Sequence, residues 1–401
     1  DTVMRVLFLT SEFPYPPDSG GRIKTLSLLQ YVQARADVRV LCFRRRQLSR
    51  EQERWASSIG VQALPLARGR NLVNLASSYL SGLPLSVERN RDDRMREAVS
   101  RACQETHFDA LFVDGWLMGQ YLPQGFHRLK VLHEHNAEYV LWQRQAEVEG
   151  NPLRRLVVRI EERRVRRYEA SLLASFDVVF AVSAADREAL LRIGANPGRT
   201  RVLPNLPDPS LLQQPHLSFA DAEPLVLYFG TLSWQPNLQG LQYFLRRVWP
   251  LVGRATPEAR MVIAGRDGPA WLRRLAHRTP GVEFQGPVED AEALYRRARV
   301  FVEATPSGGG TKLKILNAMA RGLPVVASPQ AAEGIEAVPG VHLLVGDGPE
   351  ALAGAIARLL TEAALWQNIA AEGRRLIRER YTAETAYAPL AEVLNASPAS
   401  V

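Results

Sequence analysis

Glu303-Ala-Thr-Pro-Ser-Gly-Gly-Gly-Thr-Lys-Leu-Lys-Ile-Leu-Asn-Ala-Met-Ala-Arg-Gly-Leu-Pro-Val-Val-Ala327 spells out one strand–loop–helix–strand unit. An apolar strand ends near Glu303, and residues 306–310 form a glycine-rich loop. The spacing predicts a helix over 312–321, with Thr311 as its N-cap and Gly322 and Pro324 as its stop, followed by a buried strand over 323–327. Glycines let a backbone come close to a ligand, and the free N–H groups of a first helical turn attract anions. Lys312 lies in that turn, where a cation opposes the helix dipole unless an anion sits between them. A diphosphate would remove the conflict. A glycine turn with two solvated lysines is the plainer alternative.

The same alternation of short apolar runs and helical patterns extends both ways along the 401 residues. Strands are expected at 3–9, 38–43, 61–66, 109–114, 129–134, 177–182 and 201–203, then at 225–229, 260–264, 282–285, 299–303, 323–327 and 341–345. Runs such as Leu225-Val-Leu-Tyr-Phe229 are apolar at successive positions, as strands covered on both faces must be. Strands separated by helices imply parallel βαβ units. Prolines crowd 204–224 and mark a break. The expected organisation is an N-terminal Rossmann-like domain over 1–205, a linker over 206–223, a C-terminal Rossmann-like domain over 224–380, and a helix and tail over 381–401 packing back on the first domain. Two such sheets in tandem direct the carboxyl ends of their strands to a shared crevice, so chemistry belongs in the strand-to-helix loops.

Composition narrows the classes. The formal charge is +8, and arginine accounts for 46 of the 50 basic residues; the lysines are Lys24, Lys130, Lys312 and Lys314. Where arginine is the default cation, Lys312 and Lys314 so close together mark a place for a compact ammonium. Cys42 and Cys103 suit free thiols in a reducing compartment. The apolar run at the start of the chain is too short for a signal peptide, and no stretch approaches the roughly 18 apolar residues of a membrane span. A cytoplasmic protein, at most peripheral to the membrane's inner face, is the expectation. Nucleic-acid binding is disfavoured despite a pI near 9.7, because the arginines are dispersed and no recognition fold is apparent.

Two further loops stand out. Phe13-Pro-Tyr-Pro-Pro-Asp-Ser-Gly-Gly-Arg-Ile-Lys24 follows the first strand, and Gly20-Gly21 precede an apolar helical pattern. The full dinucleotide fingerprint is missing, which disfavours an NAD enzyme. Val131-Leu-His-Glu-His-Asn-Ala-Glu138 places His133 and His135 on one face of a strand, with His135 at its carboxyl end. No third ligand appears nearby in sequence, so a hydrogen bond from His135 to a sugar hydroxyl or phosphate is preferred over a metal site or a structural role.

With these segments in view, the whole chain resembles the GT-B-fold glycosyltransferases of family 4, which are retaining enzymes, and within them the subgroup with a glycine-rich GGGT-K-x-K segment. The resemblance rests on Gly20-Gly21, His135 to Glu138, Ala181-Val-Ser183, Val202-Leu-Pro-Asn205, Phe229-Gly-Thr-Leu-Ser-Trp-Gln-Pro-Asn237 and the 303–327 segment, in that order. It implies a nucleotide-diphosphate sugar donor lying mainly on the C-terminal domain, no metal and no separate cofactor. His135 matches the family's active-site histidine, Gly20 and Gly21 would lie against the diphosphate, and Gly309, Gly310, Thr311, Lys312 and Leu313 match the loop and helix start beneath it. The family's two glutamates fall on Gly309 and Asn317, and its usual arginine and lysine after the first C-terminal strand fall on Thr231 and Gln239. Lys312, with Arg266, must then neutralise the phosphates.

The expectation is a retaining, metal-independent hexosyltransferase with His135 and Lys312 as catalytic residues. The donor residues are Gly20, Gly21, Thr231, Arg266, Gly309, Gly310, Thr311, Leu313 and Asn317, and closure of the two domains would exclude water. A weak or silent GT-B scaffold is the main alternative, and a nucleotide-sugar epimerase a lesser one. On the acceptor side, 154–167 holds seven arginines around Leu156, Val157 and Ile160. It reads either as an exposed helix with internal ion pairs or as a basic surface for anionic lipid. Residues 68–84 read either as a mobile acceptor or membrane loop or as a buried helix.

Overall fold

A computed structural model describes residues 3–17, 19–66, 72–288, 290–305 and 311–395. The side chains of 72–74 are outside the description. The chain divides into two compact units, one running to Pro204 and resuming at Tyr387, the other spanning Asn205–Ala386.

The first unit carries β1 (Arg5–Thr10), β2 (Asp37–Arg44), β3 (Val61–Pro65), β4 (Ala110–Asp114), β5 (Leu129–Glu134), β6 (Val178–Ala181) and β7 (Thr200–Val202). They form one sheet in the order β3-β2-β1-β4-β5-β6-β7, with every pair parallel. The second unit repeats the plan with β8 (Leu225–Phe229), β9 (Arg260–Ala264), β10 (Val282–Gly286), β11 (Val300–Glu303), β12 (Val325–Ala327) and β13 (Leu344–Val345). Its order is β10-β9-β8-β11-β12-β13, again parallel. Both are doubly wound α/β sheets. In each, the strand order reverses beside the first strand, between β1 and β4 and between β8 and β11, and such a switch point is where the fold opens a binding crevice.

The core explains the continuous apolar runs. Val226 and Tyr228 of β8, Met261 and Ile263 of β9, and Val300 and Val302 of β11 enter one cluster. Leu225, Leu227, Val262, Ala264 and Phe301 enter the cluster on the opposite face. Side chains alternate faces along a strand, so a strand buried on both faces must be apolar at every position.

Two local expectations are corrected. The helix after the glycine loop spans Leu313–Arg321, and its N-cap is Lys312, in extended conformation with no side-chain cap, rather than Thr311. Thr311 is buried and turns its hydroxyl to the Gly334 carbonyl, while its own carbonyl accepts from Asn205 Nδ2. The proline-rich stretch is built into the second unit rather than strung out as a tether. Buried Arg374 donates to the carbonyls of Leu212 and Gln214, and buried Arg321 donates to that of Pro215. At the other end, the Ala388–Asn395 helix belongs to the first unit, where Tyr387 packs edge-on against Tyr31 and accepts its hydroxyl hydrogen bond.

Candidate functional site

At the switch point of the first sheet, β4 ends in Asp114, which is wholly buried. One of its oxygens faces His133 Nδ1 at 2.9 Å and His135 Nε2 at 2.7 Å. The other accepts from the hydroxyls of Thr25 at 2.6 Å and Thr10 at 3.2 Å. Burial by itself would raise this carboxyl's pKa, but the two histidines outweigh it and hold the group well below the usual carboxylate range. Burial lowers both histidines, His133 to about 4, so at neutral pH they are uncharged rings around a carboxylate. His135 remains partly exposed, and its Nδ1 has no partner among the described residues. Gly115 lies beside the ring at φ +95°, a backbone conformation that residues with a side chain rarely adopt.

Lys24 lies one turn into the Gly20–Gln33 helix, whose first residues Gly20 and Gly21 are exposed. Its side chain is buried, and no hydrogen bond or ion pair holds the ammonium among the described residues. Burial lowers its pKa to about 8, against the opposing pull of Asp114, Glu138, Asp186 and Glu134. Behind it, Glu134 is fully buried with both carboxyl oxygens unpartnered, and burial raises it well above the carboxylate range. Glu138 and Glu169 are pushed up to about 7 and about 8, chiefly by burial.

The second sheet's switch point is built around Lys314. Its ammonium is ion-paired with Glu303, the fully buried last residue of β11. It also reaches the Tyr228 hydroxyl at 2.9 Å and Asn237 Oδ1 at 2.7 Å, and lies over the Tyr228 ring. Asn237 in turn donates to the Thr231 carbonyl at 2.8 Å, so one lysine ties the ends of β8 and β11 to the helix after the glycine loop. Gly265, at φ +147°, closes the group from β9: a Cβ there would stand 1.8 Å from the Gly230 carbonyl oxygen, and Leu232 N–H bonds the Arg266 carbonyl.

The expected site residues thus fall into two sets. In the first unit, His135 stands at the switch point, with Gly20 and Gly21 at the start of the helix that carries Lys24 and Thr25. In the second, Thr231 and Arg266 sit on adjoining loops, and Lys312, Leu313 and Asn317 occupy the start and middle of one helix. Asn317 is already engaged, since its Oδ1 accepts from the Asp208 N–H at 2.9 Å. Gly309 and Gly310 lie outside the described residues. Asp114, Lys24, Glu303 and Lys314 were absent from the expected set. The scarcity of lysine pointed at Lys314 beside Lys312, but nothing in the sequence marked Lys24, and no spacing rule ties Asp114 to a histidine 21 positions later.

Asp114, His133 and His135 also supply the three-ligand set that the sequence did not reveal, with ligand atoms within 4.8 Å of one another. Both nitrogens contact the same oxygen at hydrogen-bond lengths, closer than the roughly 3.3 Å between ligands of a tetrahedral zinc. In this conformation the set fits hydrogen bonds, and a cation would have to spread it open.

Residues 19–206 match the family described as glycosyl transferase 4-like domain, and residues 223–362 match glycosyl transferases group 1. An uncharacterised 44.6 kDa protein in the cps region of Klebsiella pneumoniae is 21% identical, covering 96% of this chain and 98% of that protein. Among solved structures, sucrose-phosphate synthase from Thermosynechococcus elongatus aligns with a TM-score of 0.70 at 21% identity, covering 97% of this chain and 98% of that one. Anabaena HepE in complex with UDP and glucose aligns with a TM-score of 0.68 at 16% identity, covering 98% and 99%. At these identities the structural likeness establishes the fold.

Proposed function

Because this chain belongs to the GT-B glycosyltransferases, we propose that it moves a hexose-type sugar, with retention and without a metal, from a nucleotide-diphosphate donor to an acceptor hydroxyl. The observation that carries this reading is the helix start at Lys312: a lysine in extended conformation opens the helix at the switch point of the second sheet, anchored by the Glu303–Lys314 pair. As the glycosidic bond breaks, negative charge grows on the diphosphate. Preplaced N–H groups and an ammonium aimed at that charge lower the barrier. The Lys312 cation and the first N–H groups of the 313–321 helix take this role, with Arg266, on the loop after β9, as a further cation.

In the first unit, Asp114 favours the tautomer of His135 with its proton on Nε2, which leaves Nδ1 as an acceptor for a sugar hydroxyl. Lys24 gives this unit a cation of its own, largely charged at neutral pH because its lowered pKa of about 8 still lies above 7. Gly20 and Gly21, exposed at the start of the same helix, are the backbone positions of this unit open to an anionic group. The neighbour bound to UDP supports the donor class.

The test is a thermal-shift panel of UDP-, GDP-, ADP- and dTDP-sugars, followed by donor hydrolysis with the sugar nucleotide that stabilises. A ligand at a hundred times its Kd adds about 2.7 kcal/mol of stability. Lys312→Ala should lower donor turnover by about 10²–10³-fold, the usual cost of one transition-state donor, with an unchanged unfolding midpoint. No shift with any nucleotide would favour a silent scaffold, and unchanged turnover in Lys312→Ala would remove the role given to that lysine.

A further inference from the structure

The first unit carries an apolar surface that its own core does not use. In the Pro152–Leu173 helix, Val158, Val165, Leu172 and Leu173 face the interior. A second apolar row, Leu153, Leu156, Val157 and Ile160, stays in solvent at i, i+3, i+4 and i+7, with Leu153 77% and Leu156 57% exposed. That spacing makes one stripe roughly 10 Å long. Alongside it run Arg159 and Arg163, both exposed, at i and i+4. Arg154, Arg159, Arg163 and Arg167 have no ion-pair partner among the described residues, and the nearby Glu161 is turned inward to Arg164 and the Leu85 N–H.

A second segment extends the surface. The Leu72–Ser81 helix is held against the first by Arg164, which donates to Ser78 Oγ at 2.7 Å and lies over the Tyr79 ring. Leu80 beside it is 90% exposed, and Leu75 and Tyr79 are exposed as well. Apolar side chains on both helices therefore stand proud of a rim of unneutralised arginines.

We propose that this face docks on an anionic lipid bilayer, the apolar stripe entering the boundary between headgroups and acyl chains while the arginines contact lipid phosphates. Interfacial helices combine these two features, and long cationic side chains can keep their heads at the headgroup level. Anionic lipid brings the opposite charge, whereas a second copy of this chain would bring the same arginines. The protein would lie on the bilayer rather than cross it, since no helix among the described residues is long and apolar enough to span one. This docking stands independently of the sugar-transfer reading.

Sedimentation of the full chain with phosphatidylcholine vesicles, with and without about 30% phosphatidylglycerol, tests it. Binding is expected only to the anionic vesicles, and it should weaken at about 0.5 M salt, where charges are screened within a few ångströms. Leu153→Ser/Leu156→Ser/Val157→Ser should reduce partitioning about tenfold or more with an unchanged melting curve, because these side chains lie outside the core. Arg159→Gln/Arg163→Gln should reduce it by about fivefold per charge and flatten the salt dependence. Equal binding by the chain and both variants, or equal binding to neutral and anionic vesicles, would overturn the proposal. So would a dimer in solution that the triple variant abolishes.

Discussion

At the scale of single residues, two buried charges organise the two candidate sites in different ways. Asp114 is satisfied by four hydrogen bonds and stays ionised, so it can orient His135. Glu303 is ion-paired with Lys314 and also accepts from the Thr305 N–H at 3.1 Å, and removing one partner of a buried pair leaves an uncompensated ion that costs about 3–5 kcal/mol. Lys314→Met should therefore lower the unfolding free energy measured by urea denaturation by that order, and Glu303→Gln/Lys314→Met should recover much of the loss. A Lys314→Met protein as stable as the parent would show that the pair does not matter to folding. Lysine scarcity made Lys312 and Lys314 visible beforehand, yet it could not tell which ammonium is spent on a buried carboxylate. That division depends on where β8 and β11 end in space.

At the scale of elements, inner strands such as β8 and β11 were legible as apolar runs, because strands covered on both faces leave no polar position to blur the signal, whereas β3 and β10 at the sheet edges mix polar and apolar positions. Helix starts were less legible. The Glu138–Val148 helix begins after Ala137, which has no capping side chain. Its first N–H groups are satisfied from afar, Glu138 N and Tyr139 N by Glu169 at 2.8 and 3.1 Å, and Ala137 N by Asp186 at 3.0 Å. Local capping rules cannot see partners 30 to 49 positions away. Burial raises Glu169 from 4.5 to about 8, so the fold binds its proton more tightly than the unfolded chain does. The stability this confers is complete below about pH 4.5 and is lost as pH rises through about 8. Each pH unit of that window contributes at most about 1.4 kcal/mol. Glu169→Gln should remove this part of the slope, so denaturation midpoints taken across the window should fall less in the variant than in the parent. Parallel slopes would contradict the raised pKa.

At the scale of the molecule, the chain builds the same doubly wound plan twice and then returns to the first unit with its last helix. Tyr387, Leu390, Val393 and Leu394 are buried there, and Arg201 pairs with Glu392. Burying a large apolar side chain stabilises by about 1.5–3 kcal/mol, so ending the chain at Ala386 should loosen the first unit. Hydrogen exchange should accelerate in the Gly20–Gln33 helix, which carries Tyr31, and stay unchanged across β8–β12. Unaltered protection around Tyr31 would mean that the returning helix is not a structural part of that unit.

Read alone, the amino-acid order was enough for two parallel α/β sheets, the places of their strands and the loops worth watching. Periodicity and glycine placement are local properties, and buried parallel strands express them in the chain itself. Tertiary folding settled the rest: Asp114 as the partner of two histidines, Glu303 as the partner of Lys314, and an apolar stripe left outside the core beside unpaired arginines. These depend on which strand ends meet at a reversal of sheet order and on which helix face finds a neighbour, and neither is encoded in the spacing of residues along a line.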